Sequence, residues 1–292
     1  MAAVAVILVA SIAYELYRGS FPSLSTFGLG FIVGRVWDPA ITQQFGAAPV
    51  IWGTLVTSAI ALLLAVPISL GIGLLLSEFA PHNARFPLAL LVELLAAVPS
   101  VIYGLWGIFT LAPTLSNYFY PALQSLLGFL PIFSGPYSGQ GVLTGGIVLA
   151  IMITPTISAV SREVFNAVPR SQREAFYALG ATRWETAKHV LSYGRSGVVG
   201  AIMLGLGRAI GETMAITMVI GNRFGIPQSL LGPGYTMAAI IANEFNEAID
   251  QLYVSALIEI GLLLFVMTLI IGILARLLIR RSMRLYKGVS VE

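Results

Sequence analysis

The chain has 292 residues, 57% of them hydrophobic and only 10% charged, with a net charge of +3; a soluble domain carries about 25% charged residues. Such a chain cannot cover a water-facing surface, and its polar stretches are too short to build a catalytic domain with a core of its own. Cysteine is absent, which excludes disulfides and thiolate metal sites, and the two histidines, His82 and His189, stand far apart among charged residues.

Apolar stretches of about 20 residues, the length that crosses a hydrocarbon core as helix, recur along the chain and predict six spans. The first covers residues 2–17; it lacks the basic start and small-residue cleavage site of a signal peptide and is read as retained, with room for a few residues before it. A polar segment follows over 18–49, then spans at 52–76 and 86–112, a Pro-, Gly- and aromatic-rich loop over 113–140, and a fourth span at 141–160. A polar block over 161–197 precedes a fifth span at 198–221, an extramembrane stretch over 222–250 and the last span at 252–279. The expected organisation is residues 1–49 as first helix and the polar segment after it, 50–280 as the main membrane domain with a polar loop at 163–197, and 281–292 as a basic tail.

Basic residues set the orientation. Arg85, then Arg162, Arg170, Arg173, Arg183, Lys188 and Arg195, then Arg276, Arg280, Arg281, Arg284 and Lys287 fall on one side. The other side has only Arg18, Arg35 and Arg223. Both termini are therefore expected in the cytoplasm.

Within the polar block the pattern turns amphipathic. Pro169 fits a helix start, with Ser171 and Glu174 spaced as a capping box, and Ala175, Phe176 and Leu179 are expected on one face. Gly180 supplies a stop, after which Thr182 can cap a second helix through Trp184, Ala187 and Val190. Taken alone, this is also what an interfacial helix with snorkelling arginines looks like.

Ionisable residues at membrane depth are costly and mark function. In the fifth span Arg208 and Glu212 stand four apart, a spacing that allows pairing on one helix face, among Gly200, Gly205, Gly207 and Gly211. Arg208 either offers its planar fork to a tetrahedral oxyanion or forms an ion pair with Glu212 that fixes the helix. A carboxylate acceptor would favour phosphate, which keeps a proton near neutral pH, over sulfate, which has none. Glu93 and Glu259 also lie in apolar spans and are expected to bond between helices or sit near a membrane edge. Pro99 beside Ser100, and Pro155 between Thr154 and Thr156, free carbonyls that neighbouring hydroxyls can satisfy.

Glu174-Ala175-Phe176, Gly180 and Leu191 resemble the EAA loop of ATP-binding-cassette importer permeases, in which the short helix couples to an ATPase subunit. Phe176 stands where that family has alanine, and Ser192 where it often has proline; Gly194 or Gly197 could supply the break instead. The runs Val98–Gly107 and Gly205–Ala215, and Gly53–Thr57, resemble the PstC permeases of phosphate importers over nearly the whole chain. The resemblance implies an all-α membrane protein with six transmembrane helices, the type I importer fold with a cytoplasmic coupling helix, its permease domain over 50–280 and its coupling loop over 163–197. It implies a substrate route at Arg208, Glu212, Thr213, Ser100 and Thr154, and ATPase coupling through Glu174, Ala175, Phe176 and Gly180. The implied partners are a second, PstA-like permease, a PstB-like ATPase dimer and a PstS-like phosphate-binding protein in a prokaryotic inner membrane. No phosphate-binding loop of the G-x-x-x-x-G-K-[ST] kind is present, so ATP and Mg are expected on the ATPase, and the chain is not itself an enzyme. A permease for molybdate or sulfate, or an ion-coupled carrier, is the alternative.

Overall fold

A computed structural model describes residues 2–287, with side chains described for residues 3–277. Residues 288–292, the end of the predicted tail, and the side chains of Arg280, Arg281, Arg284 and Lys287 lie outside the described residues. The chain is helical almost throughout: α1 (Ala2–Phe27), α2 (Ala48–Phe79), α3 (His82–Ala97), α4 (Ser100–Leu127), α5 (Val142–Asn166), α6 (Arg170–Ala178), α7 (Arg183–Tyr193), α8 (Arg195–Gly211), α9 (Met214–Val219), α10 (Met237–Glu244) and α11 (Gln251–Lys287). A two-residue antiparallel pair, β1 (Trp37–Asp38) and β2 (Gln44–Phe45), joins Trp37 to Phe45 between α1 and α2. Among the described residues four helices are singly long and apolar enough to cross a membrane, and the number rises to as many as six when α3 with α4 and α7 with α8 each count as one broken span.

Contacts divide the chain into two compact units. The first holds Met1–Ala59, Ser100–Leu149 and Ile210–Leu269; the second holds Ile60–Pro99, Ala150–Ala209 and Ile270–Glu292.

In the first unit, α1 runs ten residues past the predicted end at Tyr17. Its Gly and Ser residues look like loop in sequence but line a helix–helix seam: Ser20 and Ser23 are fully buried, a Cβ on Gly19 would sit 3.0 Å from Ile258, and Ser23 N–H donates to Ser255 Oγ at 3.0 Å. Small residues allow this close approach, and dispersion rather than water exclusion holds such seams in lipid. Glu259 lies in the same interior, 2% exposed, and its Oε2 has no hydrogen-bond partner. It is therefore buried in the seam between α1 and α11.

The predicted third span also changes. Val98, held extended by the following proline, interrupts it, and the helix that begins at Ser100 continues through Pro113 to Leu127. Wide π turns at Gly107–Leu111 and Leu115–Phe119 flank Pro113 and absorb its missing N–H. Gly104 lets α4 lie on α9, since a Cβ there would be 3.1 Å from the Ala215 Cα. Tyr120, fully buried with Leu115 and Leu231, meets Thr144 Oγ1 at 2.5 Å; because Thr144 donates to the Gly139 carbonyl, the phenol is the donor.

Gly53 faces the Tyr235 carbonyl so closely that a Cβ would overlap it, and next to it Thr54 Oγ1 accepts the Met237 N–H at 2.9 Å. Gly53→Ala is expected to destabilise the fold by about 2 kcal/mol, since backbone cannot move aside as a side chain does. Thermal unfolding of the purified chain in detergent checks this; an unchanged midpoint would show that the contact is slack.

In the second unit, Phe165, Val168, Ala187 and Val190 form a core with Leu74 and Val198. Glu93 on α3 meets Arg162 on α5 at 3.2 Å, an interhelical bond, one of the two placements expected of it. Nearby, Ser69 Oγ donates to the Thr154 carbonyl at 3.1 Å, joining α2 to α5 beside the Pro155 kink.

Candidate functional site

The fifth predicted span is not one helix. α8 ends at Gly211, Glu212 and Thr213 are non-helical, and α9 begins at Met214. Glu212 Oε1 accepts the Ala215 N–H at 3.2 Å, serving as a cap for a helix start that would otherwise leave that donor unpaired. The spacing of Arg208 and Glu212 therefore does not put them on one helical face. Arg208, half-buried, instead donates from Nη1 to Thr156 Oγ1 at 3.2 Å, and among the described residues no carboxylate pairs with it. Among the described residues the guanidinium therefore meets a neutral hydroxyl and no counter-charge.

Thr156, which sequence reasoning passed over for Thr154, is thus the hydroxyl that meets Arg208. Thr154 Oγ1 bonds back to the Ala150 carbonyl at 2.7 Å, maintaining the proline kink. Positions two apart on a helix point about 200° apart, so only the direction of α8 could choose between them. Thr213 is half-buried and its carbonyl accepts Thr217 Oγ1 at 2.7 Å. Ser100, half-buried, opens α4 in the first unit, whereas Thr154 and Arg208 belong to the second.

The glycines of α8 divide by role. A Cβ on Gly205 would come 2.6 Å from Ile157, so this glycine serves close contact with α5. Gly200, Gly207 and Gly211 meet nothing within 4 Å. At about 100° per residue these three fall within about 40° of one another, an open stripe beside Arg208. Among the described residues no cluster of His, Asp or Glu could hold a metal ion.

The polar block forms a helical hairpin. α6 begins after Pro169 with no side-chain cap, so the Ser171–Glu174 capping box does not form; Ser171 lies inside the helix. Gly180, at φ +79°, closes α6: its N–H donates to the Tyr177 carbonyl and Ala181 N–H to the Phe176 carbonyl, both at 3.0 Å, the two bonds of a Schellman stop. The capping box sits one turn later. Thr182 Oγ1 accepts the Glu185 N–H at 3.3 Å while the Glu185 carboxylate accepts the Thr182 N–H at 2.7 Å. Those bonds, the backbone one first, hold the Glu185 carboxyl below its ordinary range. The box is therefore complete above the ordinary carboxylate pKa and is lost as pH falls through the lowered one.

Phe176 turns inward and stacks on His189 of α7, with centroids 3.9 Å apart. The ring in the alanine position is thus used to hold the hairpin together, and Phe176 does not share one face with Ala175 and Leu179 as expected. Glu174 and Ala175 are exposed, and Leu179 is 85% exposed at the tip. Between α7 and α8 the chain bends by 69° at Gly194, the glycine that replaces the missing proline break, and Gly197 lies against Val164.

The sequence profile of the binding-protein-dependent transport system inner membrane component matches residues 65–284. The chain belongs to that family of transport permeases, whose members are transport and not catalytic subunits. It is similar to the phosphate transport system permease protein PstC of Mesorhizobium japonicum, 46% identical over 94% of this chain and 85% of that one. The PstC of Haemophilus influenzae is 49% identical over 94% and 88%, and a probable PstC of Methanocaldococcus jannaschii is 36% identical over 91% and 86%. Among solved structures, an inward-facing form of the MetNI methionine ABC transporter superposes at a TM-score of 0.59 with 17% identity, covering 85% of this chain and 99% of that one. This likeness shows the fold, an all-helical one.

Proposed function

We propose that the chain is the PstC-type permease of an ATP-driven phosphate importer, lying in a prokaryotic inner membrane with both termini in the cytoplasm. The phosphate permeases that it resembles at 46–49% identity over 94% of its length support this most directly. The working complex adds a PstA-like second permease, a PstB-like ATPase dimer that binds ATP and Mg, and a PstS-like binding protein. ATP binding draws the ATPase subunits together, the hairpin carrying Glu174, Ala175, Phe176 and Gly180 moves with them, and the spans switch from inward-open to outward-open.

The observation that carries the chemistry is Arg208, which among the described residues has the Thr156 hydroxyl and no carboxylate against it. A charge kept at membrane depth without a counter-ion costs several kcal/mol, a cost that a wet route and an arriving oxyanion offset. Glu212 uses one carboxylate oxygen as a helix cap, which leaves the other to accept a phosphate O–H. Ser100, Thr154 and Thr213 complete the proposed route, with Thr156 as the group that orients the guanidinium.

Labelled phosphate uptake by the reconstituted complex, challenged with equal concentrations of unlabelled phosphate, sulfate and molybdate, tests the assignment. Only phosphate should compete; competition by molybdate or sulfate alone would assign the permease to that oxyanion. Glu212→Gln keeps an acceptor for Ala215 but loses the charge and gains a donor. It should raise sulfate competition about tenfold, the worth of one repulsive contact removed. Phosphate uptake and sulfate exclusion both unchanged would remove Glu212 from selectivity.

A further inference from the structure

The outer face of α6 is where an ATPase would dock, but a docked helix moves the spans only if it is tied to them. Arg173 supplies that tie. It sits one residue before Glu174 and points the other way, with its side chain 16% exposed. Its Nη2 meets Glu78 Oε1 at 2.8 Å and its Nε meets Oε2 at 3.2 Å, a two-pronged grip on a carboxylate that is itself only 9% exposed. The same guanidinium donates to the Phe165 carbonyl at 2.7 Å and the Val168 carbonyl at 2.5 Å, at and just beyond the end of α5, where helix carbonyls lack partners. Glu78 stands in the π turn, Leu75–Phe79, that ends α2; such turns interrupt regular helices at functional positions. Among the described residues, no other α6 side chain hydrogen-bonds outside the α6–α7 hairpin.

From this geometry we infer that Arg173 and Glu78 are a positioning pair: the joint that passes motion of the ATPase-docked helix to α2 and α5, and so sets how much phosphate moves per ATP hydrolysed. The inference rests on the importer reading above. A planar fork with charge-assisted bonds is stiff and directional, whereas the three residues between α5 and α6 alone would be a compliant link. Losing Glu78 leaves a buried cation and a helix end held only by its carbonyl bonds, free to shift while the docking face stays intact.

The test measures ATP hydrolysis and phosphate uptake in the same vesicles holding the full complex. Glu78→Ala should leave hydrolysis within about twofold while phosphate moved per ATP falls about tenfold, a coupling loss of ordinary size. Arg173→Lys, which keeps the charge without the fork, should lose about threefold. Hydrolysis and uptake falling in parallel, or neither changing, would overturn the inference. The chain has no native cysteine, so the Glu78→Cys, Arg173→Cys double variant gives an independent arm. Bridged by a short, cleavable thiol crosslinker it should regain coupling and lose it again on cleavage; no recovery on bridging also counts against the joint. Stimulation of hydrolysis by the binding protein reports the same communication without reference to cargo. If the unmodified complex shows that stimulation but moves no phosphate, the cargo assignment fails, and Glu78→Ala still decides for or against the joint: uncoupled, it should hydrolyse at the stimulated rate with or without the binding protein.

Discussion

Arg208→Ala is expected to lower phosphate uptake about 100-fold, the worth of one charged donor aimed at a developing contact in a water-poor site, while the complex still assembles. The second half of that expectation separates the two roles open to this residue. A structural ion pair would leave a stranded carboxylate when its cation is removed, and breaking a buried pair costs about 3–5 kcal/mol. Arg208 has no such partner among the described residues; it meets the Thr156 hydroxyl, and Thr156 can satisfy itself within its helix once the guanidinium is gone. Removing a costly charge from membrane depth should therefore leave stability unchanged or raise it. Arg208→Lys keeps the charge but not the planar fork and should fall in between, about tenfold down. Uptake into vesicles, read beside the yield of intact complex on size exclusion, gives both quantities. Normal uptake in Arg208→Ala, or a complex that falls apart, would place the residue outside the route.

The helical membrane architecture, with four to six candidate spans among the described residues, was legible because lipid imposes a simple rule: about 20 apolar residues, with every backbone group paired inside the helix. Where the chain meets itself instead of lipid, that rule loses force. Gly19, Ser20 and Ser23 look like the start of a loop but are small residues in a seam with α11. Pro113 looks like a stop, yet π turns on either side carry the helix past it to Leu127. Gly205, Gly207 and Gly211 were recognisable as space, but only structure shows that Gly205 is filled by Ile157 while the other two stay open.

The candidate site was half legible. Arg208 and Glu212 declare themselves as charges in an apolar run, and their spacing suggests a pair only if the helix continues through Gly211. It does not, and a Glu three residues before the Ala215 donor is the local chemistry that could have signalled a new helix start. Thr182 and Glu185, by contrast, form the capping box that their spacing offers. Arg173 and Glu78 lie 95 positions apart, so no local pattern could join them.

Gly180→Arg is expected to weaken ATPase binding about 30-fold, equivalent to about 2 kcal/mol, without unfolding the hairpin. The glycine has φ +79°, and every L residue placed there costs about 1–2 kcal/mol of backbone strain. A Cβ would meet nothing within 4 Å, so steric clash inside the chain adds nothing to that cost. The hairpin keeps its capping box and the Phe176–His189 stack, which lie on either side of the tip. What distinguishes the long side chain is that it projects from an exposed tip, next to Leu179, into whatever docks there. Gly180→Ala carries the same strain with almost no bulk and serves as the control; its ATPase affinity should drop by about threefold or less, because strain felt in both free and docked states largely cancels. Titrating the ATPase onto permease complex held in lipid nanodiscs measures both affinities. Equal losses for the two variants would trace the effect to backbone conformation, and the tip of α6 would no longer be a docking surface.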